Sequence, residues 1–129
     1  MDLTLKEIEK VSNLSPFERY KYFIKKVADF EELWTIVYDN KDLALSEVDN
    51  NTLVSFWTSE QFIMNNLNGG WEKCIPLKID LDDFESIFIP LIVENNYLVN
   101  IFPVNGKSGF VVNINEFTRD LNEELENYE

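Results

Sequence analysis

The stretch from Ser15 to Phe30 limits the possible folds of this chain more than any other. Ser15-Pro16-Phe17-Glu18 places a hydroxyl at a helix N-cap, Pro at the first helical position and Glu three residues after the cap, so the first turn has its donors met from the start. Phe17, Tyr20, Ile24, Val27 and Ala28 then recur at helical spacing, and Phe23 and Phe30 widen the stripe. A face that broad must be covered, and a sheet is the element that covers it. Ahead of it, within residues 1–14, Leu5, Ile8 and Val11 to Leu14 predict a shorter helix that docks less firmly.

From Leu33 the periodicity changes. Leu33 to Tyr38 is rich in β-branched and aromatic residues and is followed by the turn-like Asp39-Asn40-Lys41-Asp42. Leu43 to Val48 and Leu53 to Trp57, separated by Asp49-Asn50-Asn51, continue the series and predict a three-stranded antiparallel meander. Thr58-Ser59-Glu60-Gln61 reads as a second capping box, opening a short helix through Phe62, Ile63 and Leu67 that stops at Asn68-Gly69-Gly70. A strand over Trp71 to Ile79 comes next, and Asp80-Leu81-Asp82-Asp83 caps another helix.

In that helix Phe84, Ile87, Phe88, Leu91 and Ile92 fall at the spacing of a buried face, and Pro90 must kink or shorten it. Tyr97 to Val104 and Phe110 to Ile114 read as a hairpin across Asn105-Gly106-Lys107-Ser108-Gly109. Asn113 with Glu116 caps a last helix carrying Phe117, Leu121, Leu125 and Tyr128, whose glutamates crowd its C-terminal end and favour fraying there. The order α-βββ-α-β-α-ββ-α predicts an α+β fold: a mostly antiparallel sheet of about five or six strands with helices mainly on one face. With 129 residues, ten Phe and three Trp, residues 1–129 are expected to form a single domain around one core.

The elements together resemble the bacterial family known as domain of unknown function 2750. The resemblance rests on Arg19-Tyr20-Lys21-Tyr22-Phe23 with Val27-Ala28-Asp29, on Glu32-Leu33-Trp34, and on Phe56-Trp57-Thr58-Ser59-Glu60-Gln61-Phe62. It continues through Trp71, Pro76-Leu77, Leu81-Asp82-Asp83-Phe84, Pro90-Leu91, Val99-Asn100-Ile101-Phe102-Pro103 and Gly109-Phe110-Val111-Val112, so that it spans residues 17–128. One departure is Thr58, where Pro is the commoner family residue; Thr remains a competent cap. The resemblance implies a bacterial, cytoplasmic, single-domain protein and brings no catalytic residues with it.

The residues themselves narrow the chemistry. There is no His, which removes Ser-His-Asp and Cys-His nucleophile activation and every His-containing metal site. The lone Cys74 forms neither a zinc site nor a redox pair, and no internal disulfide calls for an oxidising compartment. No phosphate loop or dinucleotide fingerprint is present, so no cofactor and no metal is expected. The N-terminus lacks the features of a signal peptide, and the longest apolar run, Ile87 to Val93, is far short of the roughly 20 residues that cross a bilayer. No membrane association and a cytoplasmic location are the expectations.

Eleven basic against twenty-four acidic residues leave a formal charge of −13, a field that repels nucleic acid and attracts basic protein surfaces. The basic residues are uneven, with Arg19, Lys21, Lys25 and Lys26 gathered on the first long helix. Asp82 and Asp83, with Asp80 and Glu85, cluster at a helix start, where capping accounts for them and a cation site or an acid–base pair is the sharper alternative. Ser59 sits at a strand-to-helix junction without an accompanying base. Trp34, Trp57 and Trp71, with Phe102-Pro103 at a strand end, are candidates for an aromatic groove, core packing being the plainer reading.

These features favour a non-catalytic interaction domain, with an immunity-type inhibitor of a basic partner as its concrete form. A small-molecule module with an aromatic pocket is the alternative, and a carboxylate-dependent enzyme comes third. Oligomeric state is left open.

Overall fold

The computed structural model describes residues 3–67, 70–104 and 109–128. Helices α1 (Leu5–Ser12) and α2 (Pro16–Phe30) lead into strand β1 (Glu32–Val37). Strands β2 (Leu45–Val48) and β3 (Asn51–Phe56), the short helix α3 (Glu60–Met64) and strand β4 (Ile75–Asp80) follow. A helical stretch then runs through α4 (Leu81–Asp83), a π-helical turn (Phe84–Phe88) and α5 (Ile89–Asn95). Strands β5 (Leu98–Ile101) and β6 (Phe110–Val112) and helix α6 (Ile114–Glu126) complete the chain. The fold is α+β and its sheets are mostly antiparallel.

Three of the four cap readings hold at atomic level. Ser15 accepts the Glu18 amide, Asp80 Oδ1 accepts the Asp83 amide at 2.8 Å, and Asn113 Oδ1 accepts the Glu116 amide at 2.8 Å. The β2–β3 hairpin closes through Asp49 and Asn50, both with positive φ, the paired left-handed turn whose twist matches that of the strands.

The meander does not form. β2 and β3 pair, but β1 runs antiparallel to β4, from Glu32 opposite Asp80 to Val37 opposite Ile75. β1 joins the other sheet through isolated bridges from Trp34 to Trp57 and from Val37 to Leu43, and the Thr35 hydroxyl donates to Ser55 O of β3 at 2.7 Å. Local turn signals cannot distinguish a neighbouring strand from one about forty residues on, and here the distant one completes the burial of Leu33 and Ile36. The four-stranded sheet has the order β2-β3-β5-β6, in which β3 and β5 are parallel and β5 and β6 antiparallel. The strand expected from Trp71 begins at Ile75, while the expected stops at Asn68-Gly69 and the turn at 105–108 lie outside the described residues.

The register explains a proline in β4. The amide and carbonyl of Trp34 bond Trp57, and the Ile36 carbonyl accepts from Ala44, so even-numbered β1 residues direct their polar groups away from β4. Their partners Lys78 and Pro76 are therefore also non-hydrogen-bonded positions, and the nitrogen of Pro76 faces away from β1. No ladder bond is lost there.

Pro90 does not shorten the helical stretch after β4, which runs on to Asn95; a π turn accommodates the proline. The Ile89 amide bonds Phe84 O, one residue farther back than in an α-helix, and the stretch resumes as α-helix with Pro90 in its first turn, where no donor is needed. The extra residue rotates the apolar face. Phe84 and Ile92 stay buried, but Ile87, expected inside, is 57% exposed.

Aromatic rings tie the layers together. Contacts from Phe23 to Phe117, Phe117 to Phe84 and Phe84 to Phe56, with centroids 5.5–5.9 Å apart, run from α2 through α6 and the π turn to β3. All four rings are buried, each contributing about 1.5–3 kcal/mol relative to an exposed position. None of the described helices is long and apolar enough to cross a membrane.

Candidate functional site

Six of the eight sequence-selected residues lie around the carboxyl ends of the parallel strands β3 and β5. Trp57 is fully buried, its Nε1 donates to Pro103 O at 2.9 Å, and its ring meets Trp71 edge-on at 6.0 Å. Trp34 pairs with Trp57 through the backbone and donates its Nε1 to Glu32 Oε2 at 3.2 Å. Phe102 is buried against Phe62 and Tyr22, and Pro103 is buried beside it. Trp57 and Phe102 thus pack against other rings, and of the six residues only Trp34 and Trp71 keep partial exposure.

Phe102 has φ 64°, an unusual value for a bulky residue, and its neighbours hold it there. Its amide bonds Phe56 O, and its carbonyl accepts from Arg19 Nε at 3.0 Å. Arg19 also donates to Leu14 O. Burial lowers the Arg19 pKa from its ordinary value, and this guanidinium joins the α1–α2 turn to the end of β5.

Ser59 is the N-cap residue of α3, but its hydroxyl makes no cap bond, so the capping role read from sequence is absent. The Ser59 and Thr58 hydroxyls are both buried, and Ser59 Oγ has no hydrogen-bond partner among the described residues. Asp82 and Asp83 lie elsewhere, at the start of α4, and they part company. The Asp83 amide serves the Asp80 cap, whereas Asp82 enters a concavity.

That concavity lies where the end of α2, β1, β4 and the start of α4 meet. It holds about 430 Å³ and is walled by Phe30, Glu31, Glu32, Lys78, Asp80, Leu81 and Asp82. Backbone geometry builds it. Glu31 caps α2 in the left-handed conformation, its carbonyl accepts the Leu81 amide at 3.1 Å, and the β1–β4 register sets Glu32 directly opposite Asp80. Like charges facing each other across a strand pair are destabilising. The last turn of α2 carries no basic residue, so the negative end of its dipole adds to the same field.

Lys78 stands on the rim, and the exposed Phe30 ring forms one wall with Lys26 Nζ 5.7 Å from its centroid. Among the described residues no three carboxylate or thiol groups converge closely enough to hold a metal ion. The hollow's carboxylates can accept hydrogen bonds from a broader cation of the guanidinium or ammonium type. Sequence reasoning found Asp80 and Asp82 but missed Phe30, Glu31 and Glu32. The available signal was the Glu31-Glu32 pair immediately after a helix whose last turn carries no basic residue.

The groups with shifted proton affinity do not assemble into acid–base machinery. Burial, followed by the hydrogen bond to Asp120, raises the Tyr20 pKa, and burial with the bond to Glu7 raises that of Tyr22. Burial and the Glu72 charge push the Cys74 thiol up, which favours its protonated, unreactive form. A family model described as Protein of unknown function (DUF2750) matches residues 20–121. No curated protein matches the chain.

Proposed function

The chain belongs to the DUF2750 family of proteins of unknown function, and from that premise we propose that it is a non-catalytic interaction domain that captures a basic protein. The observation that carries this reading is the opposition of Glu32 and Asp80, flanked by Glu31 and Asp82, in a hollow with an aromatic wall. Four carboxylates beside an aromatic ring favour an inserted cation. The wider surface supports the reading. The one ion pair between described residues is Arg119–Asp120, and twenty-four acidic side chains exceed eleven basic ones.

An approaching basic protein is steered by the whole field and anchored by an Arg or Lys in the hollow. Inhibition of that partner, as by an immunity protein, is the concrete form of the proposal, in a bacterial cytoplasmic setting. The test is retention of host proteins on the immobilised chain at low and raised salt, beside the variant Glu31→Gln/Glu32→Gln/Asp82→Asn, which leaves the Asp80 cap intact. Basic proteins should be held by the native chain, released by salt and missed by the variant. An empty eluate, or a partner indifferent to both salt and variant, would overturn the reading.

A further inference from the structure

A second groove, of about 380 Å³, lies between α2 and α6, along the helix whose C-terminal end walls the acidic hollow. Its walls carry opposite charge. Lys21 and Lys25 project from α2, while Asp120, Glu123 and Glu124 project from α6. None of these lysines is within ion-pair distance of a described carboxylate, the single pair being Arg119–Asp120. Phe17 stands at this face, 53% exposed, supported by Phe110 at 5.4 Å and by Lys21 Nζ at 5.3 Å from its ring centroid.

We propose that this face docks a second copy of the same chain around a two-fold axis. A two-fold interface brings one patch against itself, so it must be self-complementary. Here the rotation sets the lysine wall of each copy against the carboxylate wall of the other, and each Phe17 becomes a knob for the opposing groove. The local balance matters because two copies each carrying −13 repel over the rest of their surfaces. Lys21 and Lys25 set against Asp120, Glu123 and Glu124 bring this groove near neutrality, so the repulsion is locally weaker here.

The area is modest. Fifteen residues of α2 span about 22 Å, and two helices side by side offer roughly 400 Å² per copy, about 800 Å² in all, which is below standard specific interfaces and in the range of weak, transient contacts. The dimer is therefore concentration-dependent. Its salt response is opposite to that of basic-protein capture: raising ionic strength from about 0.01 to 0.15 M shortens the screening length from about 30 to 8 Å, removing long-range repulsion more than contact pairing.

The experiment is sedimentation velocity over a concentration series at both ionic strengths. It uses the native chain, the variant Lys21→Glu/Lys25→Glu, the variant Glu123→Lys/Glu124→Lys, and an equimolar mixture of the two variants. The native chain should shift from 15.2 kDa toward twice that mass, more readily at the higher salt. Each variant alone should stay monomeric because its walls have like charge, and the mixture should recover the dimer. A native chain monomeric throughout, variants that associate as the native chain does, or a mixture that stays monomeric with helical circular dichroism intact would each overturn the proposal. Both variants keep Glu31, Glu32 and Asp82, so capture of a basic partner reports separately.

Discussion

Replacing Trp57 by Phe tests whether the junction of β3 and β5 is held by its buried polar bond or only by shape. The exchange keeps an aromatic ring but deletes the Nε1 donor, leaving Pro103 O without the partner it has at 2.9 Å in a fully buried site. A buried acceptor left unpaired costs about 1–3 kcal/mol. The missing ring portion leaves on the order of 40 Å³, which at about 24 cal/mol per Å³ adds roughly 1 kcal/mol.

The expected loss is therefore about 2–4 kcal/mol, or a fall of roughly 10 °C in melting temperature for a chain of this size. Urea unfolding with an unchanged m-value is the assay. The matched control is Trp34→Phe: Trp34 is only partly buried, and its acceptor is a Glu32 carboxylate oxygen that water can solvate, so the loss there should stay near 1 kcal/mol. Equal losses at the two positions, or a loss below about 1 kcal/mol at Trp57, would refute the assignment of the energy to the buried acceptor.

Two further perturbations follow from the same geometry. A Cβ on Gly109 would lie 1.9 Å from Ile101 O and 2.8 Å from Phe102 C, both backbone atoms, so Gly109→Ala should cost at least about 3 kcal/mol; a melting temperature close to native would contradict this. Tyr20 and Tyr22 have raised pKa values in the fold, so the stability they contribute is intact below the ordinary tyrosine value of about 10 and is lost as pH climbs toward the folded values. Urea midpoints should be flat with respect to these groups up to about pH 10 and fall above it, less steeply in Tyr20→Phe/Tyr22→Phe, and an equal alkaline slope in native and variant would count against the two hydroxyls.

What could be read from sequence was what neighbouring residues determine. Ser15, Asp80 and Asn113 cap because their partners lie three residues away, and Asp49-Asn50 turns because both residues tolerate positive φ. The failures share the opposite character. Thr58-Ser59 has the composition of a capping box, yet packing at the strand end buries both hydroxyls, and Ser59 makes no cap bond. The β1–β4 and parallel β3–β5 pairings depend on segments far apart in the chain, as does the meeting of Glu32 with Asp80 that defines the hollow. Nothing around Phe102 announces its left-handed backbone, which follows from its bonds to Phe56 and Arg19. Ile87 was misread because a periodicity count assumes an unbroken helix, and the π turn ahead of Pro90 shifts the phase by one residue.

Pro76 gives β4 a property that fold stability alone does not require. The strand carries exposed Ile75 and Leu77 and has no second strand partner among the described residues, the combination that invites sheet growth between molecules. With its nitrogen directed outward, Pro76 offers an incoming strand no donor and interposes its ring where pairing would begin. The apolar strand can thus remain at the sheet margin while offering a poor template for an added strand.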